Sequence, residues 1–550
     1  MGNRDIASAR DYHERTKHSP VSIRSGPHYL DWDNQPHPFK VYEDLDSLPL
    51  EEHLASSGVP ALQAIARSAP EGERGITRKE LGEMLFLCAG VTRRRRYFGG
   101  EMLFRAAACT GALYHIDVYV VAGPLADLDA GVYHFAPERF ALTPLRTGDH
   151  RGALVEASGG EPAVARAPAV LVFASTFWRN SWKYRDRAYR HCFWDGGTIL
   201  ANCLAAASAR DIPARTVMGF AEVPVNRLLG LNPDKEGALC LVPLGRAASP
   251  TAPSGEDLPA LDLVTRPLSR REVDYPSIRE MHAASSLESG AQVRSWREGE
   301  DPNVTPAPGS SPGQALNRGP GGAEVRRWRA GGAAAANVVD AAGMDESVTA
   351  IREIPLEMAP AESLPTNSIE QVIVRRGSTR RFSHEAITFA QLSNALHHAT
   401  RGVATDADPD GSRPLNQLYL IVNHVDGTAP GTYALDRERA RLELLKEGEF
   451  RREAGFLGLG QEIPHDASVN VYFLADLEPV LARYGNRGYR LAQMEAAVTA
   501  GRLYLAAYAH GFGASGLTFF DDDVTGFFSP HAAGKSVMFL VALGRRLKAK

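Results

Sequence analysis

The segment Arg375-Arg376-Gly377-Ser378-Thr379-Arg380-Arg381-Phe382 holds three residues whose types and spacing could do chemistry. If the segment is extended, alternate side chains share a face, so Arg376, Ser378 and Arg380 point the same way. Two guanidinium groups and a hydroxyl can then clasp a phosphate dianion. A solvated basic turn is the alternative reading of these residues taken alone. Gly511-Phe512-Gly513-Ala514-Ser515-Gly516 has the spacing of a dinucleotide-binding loop, which needs a strand before it and a helix after it. Here a helical stretch precedes and the apolar run Leu517–Phe520 follows, so these glycines read as a helix cap and turn. No phosphate-binding G-x-x-x-x-G-K-[ST], zinc-protease H-E-x-x-H or hydrolase G-x-S-x-G motif occurs. The five cysteines, Cys88, Cys109, Cys192, Cys203 and Cys240, form no C-x-x-C and read as reduced thiols rather than a disulfide framework or a zinc site.

These residues belong to a chain of 550, with 44% hydrophobic and 23% charged residues and a net charge of −4. Such a chain is long enough for full cores. Its charge argues against a general nucleic-acid or anionic-membrane binder. Without a signal-peptide core or an apolar run long enough to span a bilayer, it reads as a soluble cytoplasmic protein.

The elements that position these residues repeat. At a spacing of 300, Tyr184-x-x-Arg187-x-Tyr189-Arg190 falls on Tyr484-x-x-Arg487-x-Tyr489-Arg490, and Gly131-Val132-Tyr133 falls on Gly431-Thr432-Tyr433. At 299, Leu241-Val242-Pro243-Leu244-Gly245 falls on Leu540-Val541-Ala542-Leu543-Gly544. Collinear agreement over more than a hundred residues means duplication. In copy one, Val118–Val121 and Val170–Ala174 read as buried strands, and Lys79–Cys88 and Thr198–Ala209 as helices. Copy two matches with strands at Leu418–Val422 and Val469–Leu474, and helices at Phe389–His398 and Ala492–His510. Each copy is therefore α+β, with helices packed on one sheet. The expected division is an N-terminal arm at 1–50, domain one at 51–248, a Pro/Gly/Ala-rich and largely disordered linker at 249–350, and domain two at 351–550.

The combination resembles a known family. Tyr12-His13-x-x-Thr16-Lys17-His18-Ser19, Leu30-Asp31-Trp32-x-Asn34-Gln35-Pro36, Arg105 to Tyr114, Lys183-Tyr184 and the Arg376/Ser378/Arg380 triplet are similar to the tandem SagB-type dehydrogenases. These are relatives of thiazoline and oxazoline oxidases within the flavin-dependent nitroreductase superfamily. The resemblance implies two fused nitroreductase-like domains forming an intrachain pseudo-dimer, with FMN at their interface. Copy two keeps the triplet. Its place in copy one falls on Ile65-Ala66-Arg67-Ser68-Ala69, where both outer arginines are missing. Copy one keeps the Cys109-Thr110-Gly111-Ala112 turn, which in this fold lies along the partner's flavin; copy two has Gly411-Ser412-Arg413-Pro414 nearby.

One hybrid FMN site is thus implied, with Arg376, Ser378 and Arg380 on the phosphate and Thr110, Gly111 and Ala112 along the ring. Gly516 and Leu517 would face the ring, and Lys535 would add to the phosphate clamp. Lys183 and Tyr184 would supply acid–base chemistry, since a partly desolvated lysine can take a proton as hydride leaves. The Arg93–Arg96 run reads as a solvated loop, with rescue of the second, degenerate site as the other option.

The implied function is an FMN-dependent oxidoreductase that dehydrogenates a C–N or C–C bond in a small-molecule or peptide-derived substrate, with pathway partner proteins possible. An NAD(P)H-dependent nitro or quinone reductase and a non-catalytic flavin-binding scaffold are the alternatives.

Overall fold

A computed structural model describes residues 2–26, 28–68, 70–97, 100–255, 258–299 and 352–547. Each copy is built on an antiparallel sheet. In copy one the strands run Leu48–Pro49, Ala141–Thr147, Gly131–Ala136, Ile116–Ala122, Ala169–Thr176 and Glu236–Leu244 across the sheet. Copy two repeats this order with Glu353–Pro355, Arg441–Glu447, Gly431–Asp436, Asn416–Val422, Val469–Ala475 and Ser536–Gly544, then adds Gly513–Leu517. The repeat extends to detail. The register slips after Val132 in copy one and after Thr432 in copy two. The next residue in each, Tyr133 or Tyr433, donates its hydroxyl to the carbonyl four residues back, at 2.7 Å in both. The central strands are buried on both faces, which explains their unbroken apolar runs.

Two long helices, Ala188–Ala209 and Arg487–Ala509, join the copies. They are almost wholly buried, because each lies between its own sheet and the other copy. The helices meet on small residues at the repeat spacing. A methyl added to Gly197 would stand 2.5 Å from the Ala497 Cβ, and one added to Gly501 would stand 2.6 Å from the Ala201 Cβ. The pseudo-twofold axis therefore runs through this contact. Since backbone cannot retreat from an inserted side chain here, Gly197→Val is expected to cost about 1–3 kcal/mol of overpacking. Thermal denaturation would read this as a lowered midpoint, and an unchanged midpoint would mean that the contact is slack.

The Tyr-x-x-Arg-x-Tyr-Arg motif serves this junction. Arg187 and Arg190 of copy one pair with Asp521 of copy two at 2.9 and 2.7 Å, and all three are buried. Arg487 and Arg490 of copy two pair with Glu222 of copy one, which stands 299 residues before Asp521. Burial alone would raise the Asp521 carboxyl, but the two guanidinium groups overcome it and hold the group well below the usual carboxylate range. Each arginine pair also clasps a short helix. Arg190 donates to Thr16 Oγ1 and the His13 carbonyl, at the C-terminal end of the helix Ala7–Arg15. Arg490 donates to Ser285 Oγ and the His282 carbonyl, at the C-terminal end of the helix Pro276–Ala284. His13 contacts the Tyr489 hydroxyl and His282 contacts the Tyr189 hydroxyl, both at 3.3 Å.

The helix 276–284 is thus copy two's own arm, and this corrects the expected linker over 249–350. Within it, Pro276–Ala284 and Gly290–Glu298 are helices whose Met281, His282, Val293 and Trp296 are buried. Low hydrophobicity across the whole window masked these buried anchors. Residues 300–350 of that window lie outside the described residues. Among the described residues, no helix is long and apolar enough to cross a membrane.

Candidate functional site

Copy one contributes a turn held under strain. Gly111, Ala112 and Tyr114 all have positive φ, at 64°, 55° and 48°. Asp195, on the first long helix, holds the turn from below. It accepts from the Thr110 amide (2.9 Å), the Thr110 hydroxyl (2.7 Å), the Cys109 thiol (3.0 Å) and His115 Nε2 (2.9 Å). His115 Nδ1 contacts Ser175 Oγ at 2.8 Å. Burial, with Asp195 beside it, pushes the Cys109 thiol well up. The thiol therefore stays protonated and serves as a packing and hydrogen-bonding group.

The helix Phe177–Tyr184 ends on Lys183 and Tyr184. A methyl at Gly111 would fall 2.7 Å from the Tyr184 hydroxyl, so only glycine lets the ring lie along the turn. The Lys183 Nζ sits 5.3 Å from the Tyr184 ring centroid. Half-burial, and then the nearby Arg380 guanidinium, hold the Lys183 ammonium below the ordinary lysine range. Burial raises the Tyr184 phenol.

The residue after Tyr184 is also strained. Arg185 has φ 49° and ψ −138°, and its repeat mate is Gly485 with φ 66° and ψ −158°. Only glycine takes this region cheaply. Arg185→Gly is therefore expected to raise stability by about 1 kcal/mol, read as a higher thermal midpoint; a lower midpoint would show that the conformation costs nothing.

Copy two supplies the triplet. The helix Ile369–Arg375 ends before it, and the Thr379 amide donates to the Ala514 carbonyl at 2.8 Å. Arg376 is buried and crosses to copy one, donating to the Ala106 (2.9 Å) and Arg105 (3.3 Å) carbonyls. Ser378 Oγ lies 3.5 Å from the Tyr504 hydroxyl, which accepts from the Gly516 amide. Gly516 is exposed, and Leu517 beside it is partly buried. Arg380 is exposed, and neither it nor Lys183 has an ion-pair or hydrogen-bond partner among the described residues. The structure thus brings Thr110, Gly111, Ala112, Lys183 and Tyr184 of copy one together with Arg376, Ser378, Arg380 and Gly516 of copy two.

Lys535 is not among them. It precedes the strand Ser536–Gly544, whose other end pairs with the part of Gly513–Leu517 that holds Thr379. Eight residues at strand rise separate those ends by about 26 Å, so Lys535 cannot share a phosphate with Arg376.

Two arginines are nearer. A methyl on Gly377 would lie 4.0 Å from Arg93 Nη1, because the hairpin Val91–Tyr97/Gly100–Arg105 carries Arg93 across from copy one. Of the exposed Arg93–Arg96 run only Arg93 comes this near, while Arg94 and Arg96 pair with Glu101. Arg546 lies with its guanidinium 5.2 Å from the Tyr508 ring centroid, and a methyl on Gly513 would meet both Arg546 Cγ and Thr379. The Arg93–Arg96 run stood out in the sequence but its place beside the triplet did not, and Arg546 had no sequence signal, since a hairpin and a strand end bring them in. The arrangement offers four guanidinium groups, a hydroxyl and a half-buried amine, with no carboxylate ion-paired to Arg93, Arg376, Arg380 or Lys183 among the described residues.

The N-terminal arm rims the site. His28 Nε2 contacts the Trp182 carbonyl at 3.0 Å, Trp32 stands edge-on to Trp182, and Thr518 Oγ1 contacts His18 Nδ1 at 3.3 Å.

Comparison with known proteins agrees with this architecture. The Nitroreductase family profile matches residues 74–246 and 373–545. The crystal structure of a nitroreductase-type protein from Anabaena variabilis is 26% identical, covers 98% of this chain and 99% of its own, and superposes with a TM-score of 0.71. A nitroreductase-type protein of Methanocaldococcus jannaschii is 28% identical over 171 residues, 31% of this chain and 81% of that protein. The microcin B17-processing protein McbC of Escherichia coli is 28% identical over 127 residues, 22% of this chain and about half (47%) of McbC.

Proposed function

Because the chain belongs to the nitroreductase family and carries two of its domains in tandem, we propose that it is an FMN-dependent oxidoreductase of the SagB-type dehydrogenase kind. Its single flavin site would lie between the copies. The observation that carries the proposal is the meeting of unpaired Arg380 with Lys183 and Tyr184, one from copy two and two from copy one. The donor set fits a flavin mononucleotide. Arg376, Ser378 and Arg380, with Arg93 and Arg546 near, match a phosphate dianion. The glycine-floored turn Thr110–Ala112 and the exposed Gly516 leave flat backbone for a ring. When bound, the flavin would supply two-electron chemistry by accepting hydride from a substrate carbon.

The chain's own residues would do the rest. Lys183, whose ammonium form burial and Arg380 disfavour, would take the proton released from the neighbouring heteroatom. Tyr184, with its phenol protonated, would donate a hydrogen bond at the same place. Asp195 would hold the turn rigid, and the arm would limit access of water. The position of Lys183 beside Arg380 counts against a non-catalytic scaffold. Similarity to McbC supports a peptide-derived substrate and pathway partner proteins, and reduced cysteines support action in the cytoplasm.

The test is the visible spectrum of purified protein with released FMN counted per chain. One FMN per chain is expected. Two, or none after reconstitution, would overturn the single-site reading.

A further inference from the structure

The cleft related to the flavin site by the repeat has diverged into something else. Its ring-side half is closed. Asp406 stands where copy one has Ala106, and it accepts from the Met218 (2.6 Å) and Gly219 (3.0 Å) amides while pairing with Arg297 at 2.8 Å. The Trp296 indole donates to the Tyr484 carbonyl at 3.0 Å, and a methyl on Gly219 would meet its ring at 2.7 Å. Beside Met218 and Tyr484 a space of about 30 Å³ remains, roughly one water's share and far below an isoalloxazine.

The phosphate-side half stays open. It is a cavity of about 440 Å³ between the copies, lined by Arg67, Arg166, Arg215 and Arg246 from copy one and by Arg401 and Arg502 from copy two. Only two carboxylates, Glu71 and Asp410, share that lining. Arg67 and Arg215 are partly neutralised by Asp211 and Glu161, at 2.6 and 3.5 Å. Arg246 and Arg401 have no ion-pair or side-chain hydrogen-bond partner among the described residues. Arg502 gives one donor to the Gly402 carbonyl and has no ion pair. Leu204, Ile212 and Pro213 form an apolar wall beside these cations.

We propose that this cavity binds a small phosphate-bearing anion, a diphosphate or an organic phosphate shorter than a flavin nucleotide. Arg246, Arg401 and Arg502 supply the charge, and the Leu204–Pro213 wall receives any organic body. The placement of cations from both copies makes such a ligand a bridge across the junction. This inference does not depend on what occupies the flavin site.

The test is calorimetric titration of the flavin-loaded full chain at low ionic strength with inorganic pyrophosphate and, separately, adenosine monophosphate. Saturable binding at one further site per chain is expected, weakened about 10-fold or more in Arg246→Ala/Arg401→Ala, since charge-assisted hydrogen bonds are the strong ones. Flavin absorbance should not change in that variant. Binding of pyrophosphate alone assigns the site to inorganic diphosphate. Tighter binding of the nucleotide assigns it to an organic phosphate. Both arginines are exposed, so the variant should fold; Arg246→Lys/Arg401→Lys, which keeps the charge, should retain part of the affinity. No saturable binding of either probe, binding unchanged in the double alanine variant, or a second FMN in this cleft would each overturn the proposal.

Discussion

Replacing Lys183 with methionine is expected to lower turnover by about 10²–10⁴-fold, the usual contribution of a placed general base, while flavin stays bound. Methionine keeps the length and packing of the side chain and removes the amine. The pH dependence makes the test specific. Half-burial and Arg380 both disfavour the ammonium, so the lysine pKa is lowered. A base acts only when deprotonated, so kcat/KM should rise with pH up to this lowered pKa and then level off. Arg380→Gln removes the neighbouring cation, so the pKa rises and the ascending limb moves to higher pH, measured with FMN saturating. Methionine at 183 with turnover within about 3-fold of the parent and an unchanged profile would end the assignment.

Loss of flavin is the second large effect. Arg376→Ala/Arg380→Ala should release FMN, with affinity lowered by about 10²-fold or more, because each charge-assisted hydrogen bond contributes about 1.5–3 kcal/mol. The two substitutions differ in kind. Arg376 also donates to copy-one carbonyls, so its loss loosens the junction. Arg380 is exposed and unpaired, so Arg380→Ala should weaken FMN by about 10-fold with the thermal midpoint of the flavin-free chain unchanged. Stoichiometric FMN in the purified double variant would show that the phosphate lies elsewhere.

Much of this site could be read from residue order. The nearness of Arg376, Ser378 and Arg380 to one another could, because the three lie within five residues, although the hold of copy-one carbonyls on Arg376 could not. The Lys183–Tyr184 pair could, through family resemblance, since a helix end presents both. What escaped depends on contacts between remote segments. Asp195 has no motif around it, yet four groups of the turn converge on it. Arg93 reaches the triplet only because a hairpin crosses from the other copy. Lys535 was misplaced because a strand carries its two ends apart, and spacing from the C-terminus does not reveal which end faces the site. The conspicuous Tyr-x-x-Arg-x-Tyr-Arg motif marked duplication correctly, but its arginines are spent on the junction.

The matching of the helix 7–15 with the helix 276–284 has a consequence for the ancestry of the chain. His13 and His282 stand 269 residues apart, whereas Tyr184 and Tyr484 stand 300 apart. The unit that was duplicated therefore comprised arm plus domain. At the helix caps that open the domains, Thr77 and Thr388, the spacing is 311, so the later instance carries 42 more residues between its arm and its domain than the earlier one. The Gly/Pro/Ala-rich stretch thus lies inside the second unit, between its arm and its domain. The joint between the two units therefore falls between the strand Glu236–Leu244 and the helix Pro276–Ala284.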